Sequence, residues 1–239
     1  MAQTNNADYI SSLMKRYEEG DVFAMAQIGD FYYEDNPHLF KEDKIDLVID
    51  CYTKAAAAGH SKSALNLGVI YFEKAHAPEE FEKAIELFKS AMSGESARIA
   101  ALASSWIGEC YRSGLGVKRD LSLAFDYFLD GVLLSSHPVS LYKLGDMYRF
   151  GLFVRKDIER AYSIYEKAKR SSQQFGDYAY PDILIRMADL NLEDGGLGDI
   201  NAAIKFLTLA KRAPERLAHE KGTCEKIDSL LGLARNLKK

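Results

Sequence analysis

Cysteine is scarce in this sequence. Cys51, Cys110 and Cys224 are odd in number and far apart, which is poor material for a disulfide framework and predicts reduced, mostly buried thiols. Long apolar runs are missing too. Nowhere do about 18 apolar residues follow one another, the length a membrane-crossing helix needs. The opening MAQTNNADYISS lacks the basic stretch and apolar core of a secretory signal, so the expected compartment is the cytoplasm. There is no positive excess either. Lysine and arginine number 31 against 35 acids, and the net charge of -4 with a pI near 5.8 argues against general nucleic-acid or anionic-membrane binding, although local basic patches stay compatible with it.

Chemistry-bearing clusters are equally sparse. His38, His60, His76, His137 and His219 lie in or beside predicted turns or the terminal segment, and none has a second histidine or a cysteine at metal-ligand spacing. They are expected to be solvated. No strand is predicted, so Gly114-Leu115-Gly116 cannot be a phosphate loop between strand and helix and reads as a hairpin turn. The carboxylate neighbours Glu79-Glu80 and Glu193-Asp194 read as solvated turn acids. Cys51 and Cys110 sit at positions that predict burial, not nucleophilic activity. The expectation is a chain with no catalytic residue, no metal and no cofactor.

What the sequence does contain is repetition. Hydrophobic residues make up 47% of the 239, enough for a sizeable core. They recur as an apolar quartet at i, i+3, i+4 and i+7, the spacing of one helix face. The quartets read Val48, Cys51, Tyr52, Ala55; then Ala84, Leu87, Phe88, Ala91; then Ala124, Tyr127, Phe128, Gly131. Two more follow, Ala161, Ile164, Tyr165, Ala168 and Ala203, Phe206, Leu207, Ala210, at a period of roughly forty residues. Between them runs a second pattern, an apolar residue, glycine, two residues and tyrosine. It appears as Ile28-Gly29 with Tyr32, Leu67-Gly68 with Tyr71, Ile107-Gly108 with Tyr111, and Leu144-Gly145 with Tyr148, and decays to Met187-Ala188 with Asn191.

A glycine inside a helix costs roughly 0.5–1 kcal/mol relative to alanine, so its recurrence predicts a notch where the paired helix comes close and sets a ring against the backbone. The tyrosine three positions on would cover the seam. Each unit is therefore expected to be a helical hairpin. Gly114 and Gly116 suit positive φ at its turn, and Asp120, Asp157 and Asp199, each four residues before a quartet, are placed to cap the second helix.

The string from Ala103 through Gly108, Tyr111, Gly114, Gly116 and Asp120 to Ala124 and Tyr127 resembles a Sel-one-like repeat, a relative of the tetratricopeptide repeat. The resemblance covers residues 22–211 and implies an all-α fold, an α-α superhelix or solenoid of about five helix hairpins in one domain spanning 1–239. Residues 1–20, with Ile10, Leu13, Met14 and Tyr17 at quartet spacing, would form an N-terminal capping helix. Residues 214–239, opened by Pro214 and carrying Ile227, Leu230, Leu231 and Ala234, would form the C-terminal one. The pattern departs in the turns: Phe153 replaces the second glycine of the fourth copy, and the first two copies carry longer, acidic turns with Pro37 and Pro78. Residues 171–181 read as a flexible elbow or a contact loop.

In related repeats the inner face comes mainly from the first helix of each hairpin. Carried over position by position, the resemblance implies a protein- or peptide-binding concave face from Asp30, Tyr33 and Glu34, then Leu65, Val69, Phe72 and Glu73. Further along it implies Glu109 and Arg112, then Tyr142, Asp146, Arg149 and Phe150. Aromatics and arginine rimmed by acids suit a peptide or helix partner. Two functions are compatible with this: an adaptor or scaffold, or an inhibitor such as an immunity protein that blocks one folded partner. A hydrolase of the cysteine-rich repeat type is remote, because paired cysteines are absent from the repeats. Self-association stays open. The same reading predicts that Gly108→Leu or Gly145→Leu overpacks a helix pair, at about 1–3 kcal/mol or more, and that Arg112→Ala and Arg149→Ala leave stability nearly unchanged while weakening binding.

Overall fold

The computed structural model describes residues 2–35, 42–175, 180–193, 196–212 and 223–238. Pro37, His38, Asp194, Pro214 and His219, and residues 176–179 of the 171–181 segment, lie outside them, as does the side chain of Cys224. The described residues are helical throughout their regular structure and fall into two compact units, Met1–Arg119 and Asp120–Lys239.

The first unit holds α1 (Ala2–Glu18), α2 (Val22–Asp30), α3 (Glu42–Ala57), α4 (Ser61–Lys74), α5 (Pro78–Met92) and α6 (Ala97–Ser113). A wider π-helical turn, Phe31–Asp35, continues α2. Neighbours in sequence pack as neighbours in space, which is how a repeat fold closes its core from short-range contacts. Leu13 of α1 is buried against Ala24, Met25 and Ile28 of α2 and Cys51 and Ala55 of α3, with Ile10, Met14 and Tyr17 alongside. The quartet residues Val48, Tyr52, Ala84, Phe88 and Ala91 are all closed to solvent.

The second unit holds α7 (Leu121–Ser135), α8 (Pro138–Phe150), α9 (Ile158–Phe175), α10 (Tyr180–Leu192), α11 (Ile200–Arg212) and α12 (Thr223–Leu237). Ala161, Tyr165 and Ala168 of α9 and Ala203, Leu207 and Ala210 of α11 are buried. So are Ile227, Leu231 and Ala234 of α12, which packs on α10 and α11.

The glycine notch is filled by a ring in three hairpins. A Cβ added at Gly29 would lie 2.3 Å from Tyr52, at Gly68 2.6 Å from Phe88, and at Gly145 2.5 Å from Tyr165. No side chain fits between helix and ring. Where the pattern decays, the pair changes together: Ala188 stands for the glycine and Leu207 for the ring, both buried. The seam tyrosines Tyr32, Tyr71 and Tyr148 each lie under a cation of the same hairpin's second helix, Lys44 at 5.9 Å, Lys83 at 5.9 Å and Arg160 at 4.4 Å.

Helix ends follow local chemistry. Asp120 accepts from the backbone N–H of Ser122 at 2.9 Å and Leu123 at 3.1 Å, Asp157 from that of Arg160 at 2.8 Å, and Asp199 from that of Ala202 at 2.9 Å. The departure at Phe153 leaves the turn intact. Its φ of 66° matches the 65° of Gly116, so the fourth copy keeps the left-handed backbone without glycine. The expectation of solvated histidines fails at two positions. His60 caps α4, its Nδ1 accepting from the Ser63 N–H at 3.3 Å, and His137 is fully buried and caps α8 through the Val139 N–H at 3.3 Å. A neutral imidazole nitrogen can supply the acceptor that a serine or aspartate supplies elsewhere.

Candidate functional site

The face lined by first helices is built differently in the two units. In the first, Tyr52 donates its hydroxyl hydrogen to Asp30 Oδ1 at 2.9 Å, and Asn66 of α4 donates to the Tyr52 oxygen at 3.0 Å. Lys62 reaches Asp30 at 2.9 Å and Glu34 at 2.7 Å, and Asn66 reaches Glu34 at 2.8 Å. Asp30 and Glu34 thus bind one hairpin to the next. Tyr33 packs edge-on to Tyr52 with ring centroids 6.3 Å apart. Burial raises the Tyr33 phenol well above its ordinary pKa, and the carboxylates of Glu73 and Glu34 push the same way.

On α4, Leu65 is buried, Val69 and Phe72 are half-buried and Glu73 is exposed. The Phe72 ring meets Phe81 at 5.4 Å and Trp106 at 4.9 Å. On α6, Arg112 donates from Nε to Glu109 at 3.0 Å, and Ser113 donates to the same carboxylate at 3.0 Å.

In the second unit, Asp146 accepts from the Tyr165 hydroxyl at 2.6 Å and from Arg186 Nε at 2.9 Å. Tyr142 is fully buried, its ring under the Arg186 guanidinium at 4.2 Å. Arg149 is only 7% exposed. It donates to Glu193 Oε2 at 2.6 and 3.0 Å and lies 3.5 Å from Asp189, so it closes α8 onto the end of α10. Phe150 is 56% exposed, with the Arg149 guanidinium 4.8 Å from its ring. The expectation that Arg149→Ala would be neutral for stability is thereby corrected: removing it would strand the partly buried Glu193 carboxylate and leave Asp189 with Lys226 alone, at 3.2 Å.

One register links these observations. The residue after the glycine, the ring that fills the notch and the residue two before the next glycine position come together as Asp30, Tyr52 and Asn66 in the first unit and as Asp146, Tyr165 and Arg186 in the second. At the same positions the second copy carries Val69, Phe88 and Trp106, and there Phe88 and Trp106 stack at 5.8 Å with planes 10° apart. Polar triad and aromatic stack are alternative ways of joining hairpins. The expectation that Glu193 is merely a solvated turn acid is corrected, since its carboxylate is partly buried and held by Arg149. Sequence reasoning missed Lys62, Asn66, Trp106, Arg186 and Asp189. Three of them, Asn66, Trp106 and Arg186, were detectable as the residue two before the glycine position in successive copies.

Among the thirteen implied face positions, Glu34, Glu73 and Phe150 are exposed, and Leu65, Tyr142 and Arg149 are closed to solvent. The rest are half-buried. Burial pushes the thiols of Cys51 and Cys110 up to about 12, the reverse of what a nucleophile needs. Among the described residues no group of three or more histidines, cysteines or acids is placed to hold a metal ion, and no helix is long and apolar enough to cross a membrane.

The Sel1 repeat pattern matches residues 22–60, 61–92, 101–129 and 138–172. A Sel1 repeat protein from Oxalobacter formigenes shares the fold with a TM-score of 0.63 at 21% identity, over 99% of this chain and 98% of that one. A protective antigen of uropathogenic Escherichia coli strains, c5321, is similar at 15% identity with a TM-score of 0.37, over 94% of this chain and 64% of that one. The ERAD-associated E3 ubiquitin-protein ligase component HRD3 of Candida glabrata is 30% identical over 135 residues. That stretch is 56% of this chain and only 15% of that protein's length.

Proposed function

Since the chain belongs to the Sel1 repeat family, whose repeats are generally protein-interaction modules, we propose that it is a non-catalytic adaptor or scaffold in the cytoplasm that holds a peptide or helix of a protein partner on the face lined by its first helices. The observation that carries this reading is the patch on the Phe31–Asp35 turn and α4. Half-buried Tyr33, Val69 and Phe72 offer apolar and aromatic surface, and exposed Glu34 and Glu73 flank the tyrosine. Such a patch fits a segment that offers an apolar side chain next to a lysine or arginine. Membership of an assembly is supported by the HRD3 relative, which its name makes a ligase component.

The test is selection of displayed peptides on the immobilised chain, followed by titration against variants. Winning peptides should be basic with an apolar anchor and bind at about micromolar Kd. Glu73→Lys, at a site exposed on α4, should weaken them about fivefold or more without altering the thermal melt. Peptides that bind the variant as well as the wild type would remove this face from the proposal. Capture of one folded partner at about nanomolar Kd would favour an inhibitor instead.

A further inference from the structure

A cleft of about 800 Å³ opens on another face of the second unit, between α7 and α9 over α8. Its floor is Leu141, Leu144 and Tyr148, on a different row of α8 from Tyr142, Asp146 and Arg149. The α7 wall is apolar, formed by Phe125, Leu129 and Val132, each half-buried. One row out on α7, Leu133 is 74% exposed. The α9 wall is of another kind: around Ile164 and Ser163 it presents Arg160, Lys167 and Arg170, all exposed. At one end Ser171 of α9 donates to the Ser136 carbonyl at 2.7 Å, and at the other Arg160 lies over the Tyr148 ring.

The three cations occupy one stripe of α9, about 15 Å long at 1.5 Å per residue. Among the described residues none of them sits in an ion pair; the nearby Glu166 is engaged by Lys169. The repeat accounts for Arg160, which covers Tyr148 as Lys83 covers Tyr71, but it does not demand Lys167 and Arg170. At their positions the second copy carries Ser90 on α5 and Ser93 at its C-terminal cap, and α3 carries Lys54, engaged by Asp50 at 2.8 Å, and Ala57. In a chain of net charge -4, an unneutralised cationic row along an apolar trough is a local reversal of sign.

We propose that this cleft is a second docking site, one that takes an amphipathic acidic helix of a partner protein, its apolar face on Phe125, Leu129 and Val132 of α7 and its carboxylates along Arg160, Lys167 and Arg170 of α9. About three turns of helix match the length of the row. An apolar stripe bordered on one edge by acids satisfies both walls at once, and an extended or uniformly acidic segment leaves the α7 wall uncovered.

The experiment uses the full chain and two synthetic helices of about 18 residues, identical in their leucine stripe. One carries glutamates at the spacing of the three cations, and the other carries lysines there. Fluorescence anisotropy should show the acidic helix binding and the basic one binding at least about tenfold more weakly. Lys167→Glu with Arg170→Glu should reverse that preference while the circular dichroism melt stays unchanged, both residues being exposed. Leu144→Ala is avoided, because that side chain belongs to the core. Glu73→Lys, in the other unit, should leave acidic-helix binding intact, which separates this site from the peptide patch. The proposal is overturned if the two helices bind alike, if neither binds, or if the double reversal changes nothing. It is also overturned if the double reversal abolishes adsorption to anionic phosphatidylserine vesicles or self-association in sedimentation while peptide binding is unaffected.

Discussion

At the scale of single residues, two arginines that look alike in sequence do different things. Arg112 lies on the surface of α6 beside Glu109 one turn away, its side chain 36% exposed, and such pairs are worth about 0.5 kcal/mol. Arg149 has a side chain 9% exposed and faces Asp189 and Glu193 of the next hairpin. Breaking a buried pair leaves unpaired charge, at about 3 kcal/mol or more. In urea unfolding, Arg149→Ala should therefore shift the midpoint strongly and Arg112→Ala barely; equal shifts would contradict the burial of Arg149. The glycine notch gives a sharper case. Because a Cβ at Gly145 would meet the Tyr165 ring at 2.5 Å, even Gly145→Ala should cost about 1–3 kcal/mol, although alanine is the better helix former. Gly232 on α12 meets nothing within 4 Å, so Gly232→Ala should instead raise the melting temperature.

At the scale of helices, ends and faces obey different rules of legibility. The caps were readable because capping is local: Asp120, Asp157 and Asp199 sit within three residues of the N–H groups they accept from. Quartets and notch were readable because a period of 3.6 fixes which residues share a face. The candidate site was less so. Whether Tyr142 or Phe150 meets solvent depends on the neighbouring hairpin, and Arg186 of α10, forty residues away from Asp146, decides how Asp146 is used. The cationic row of α9 escaped notice because charge on one helix gains meaning only from the apolar wall of another.

Helix junctions also respond to acid. Asp21 caps α2 and is held below the ordinary carboxylate value of 3.8 chiefly by the hydrogen bond from Arg16, with help from the Ala24 N–H. A depressed folded-state value means that its contribution is present above about pH 3.8 and is lost as pH falls through the lower one. Asp21→Asn keeps a capping oxygen and removes the charge. Thermal melts followed down the acid limb should show a flatter pH dependence for the variant, and identical limbs would mean that the Arg16 pair adds nothing to stability.

At the scale of the whole molecule, the residues that hold the core and those proposed to meet a partner separate by burial. Cysteine makes the separation measurable. Cys51 packs among Leu13, Ala24, Ile28 and Ala55, and Cys110 is fully closed to solvent on α6. Burial raises both thiols to about 12, so at neutral pH almost no thiolate forms and no reagent reaches the sulfur. In a Cys224→Ser background, native protein should therefore react with a thiol-specific disulfide reagent only as fast as the core opens, and about two equivalents should appear when it unfolds. Destabilising changes in the same unit, such as Tyr52→Phe, should speed that reaction, and surface changes such as Glu73→Lys should not. Rapid labelling of the native chain would show that one of these sulfurs is accessible and activated, which would return cysteine chemistry to consideration against the binding role argued from the repeats.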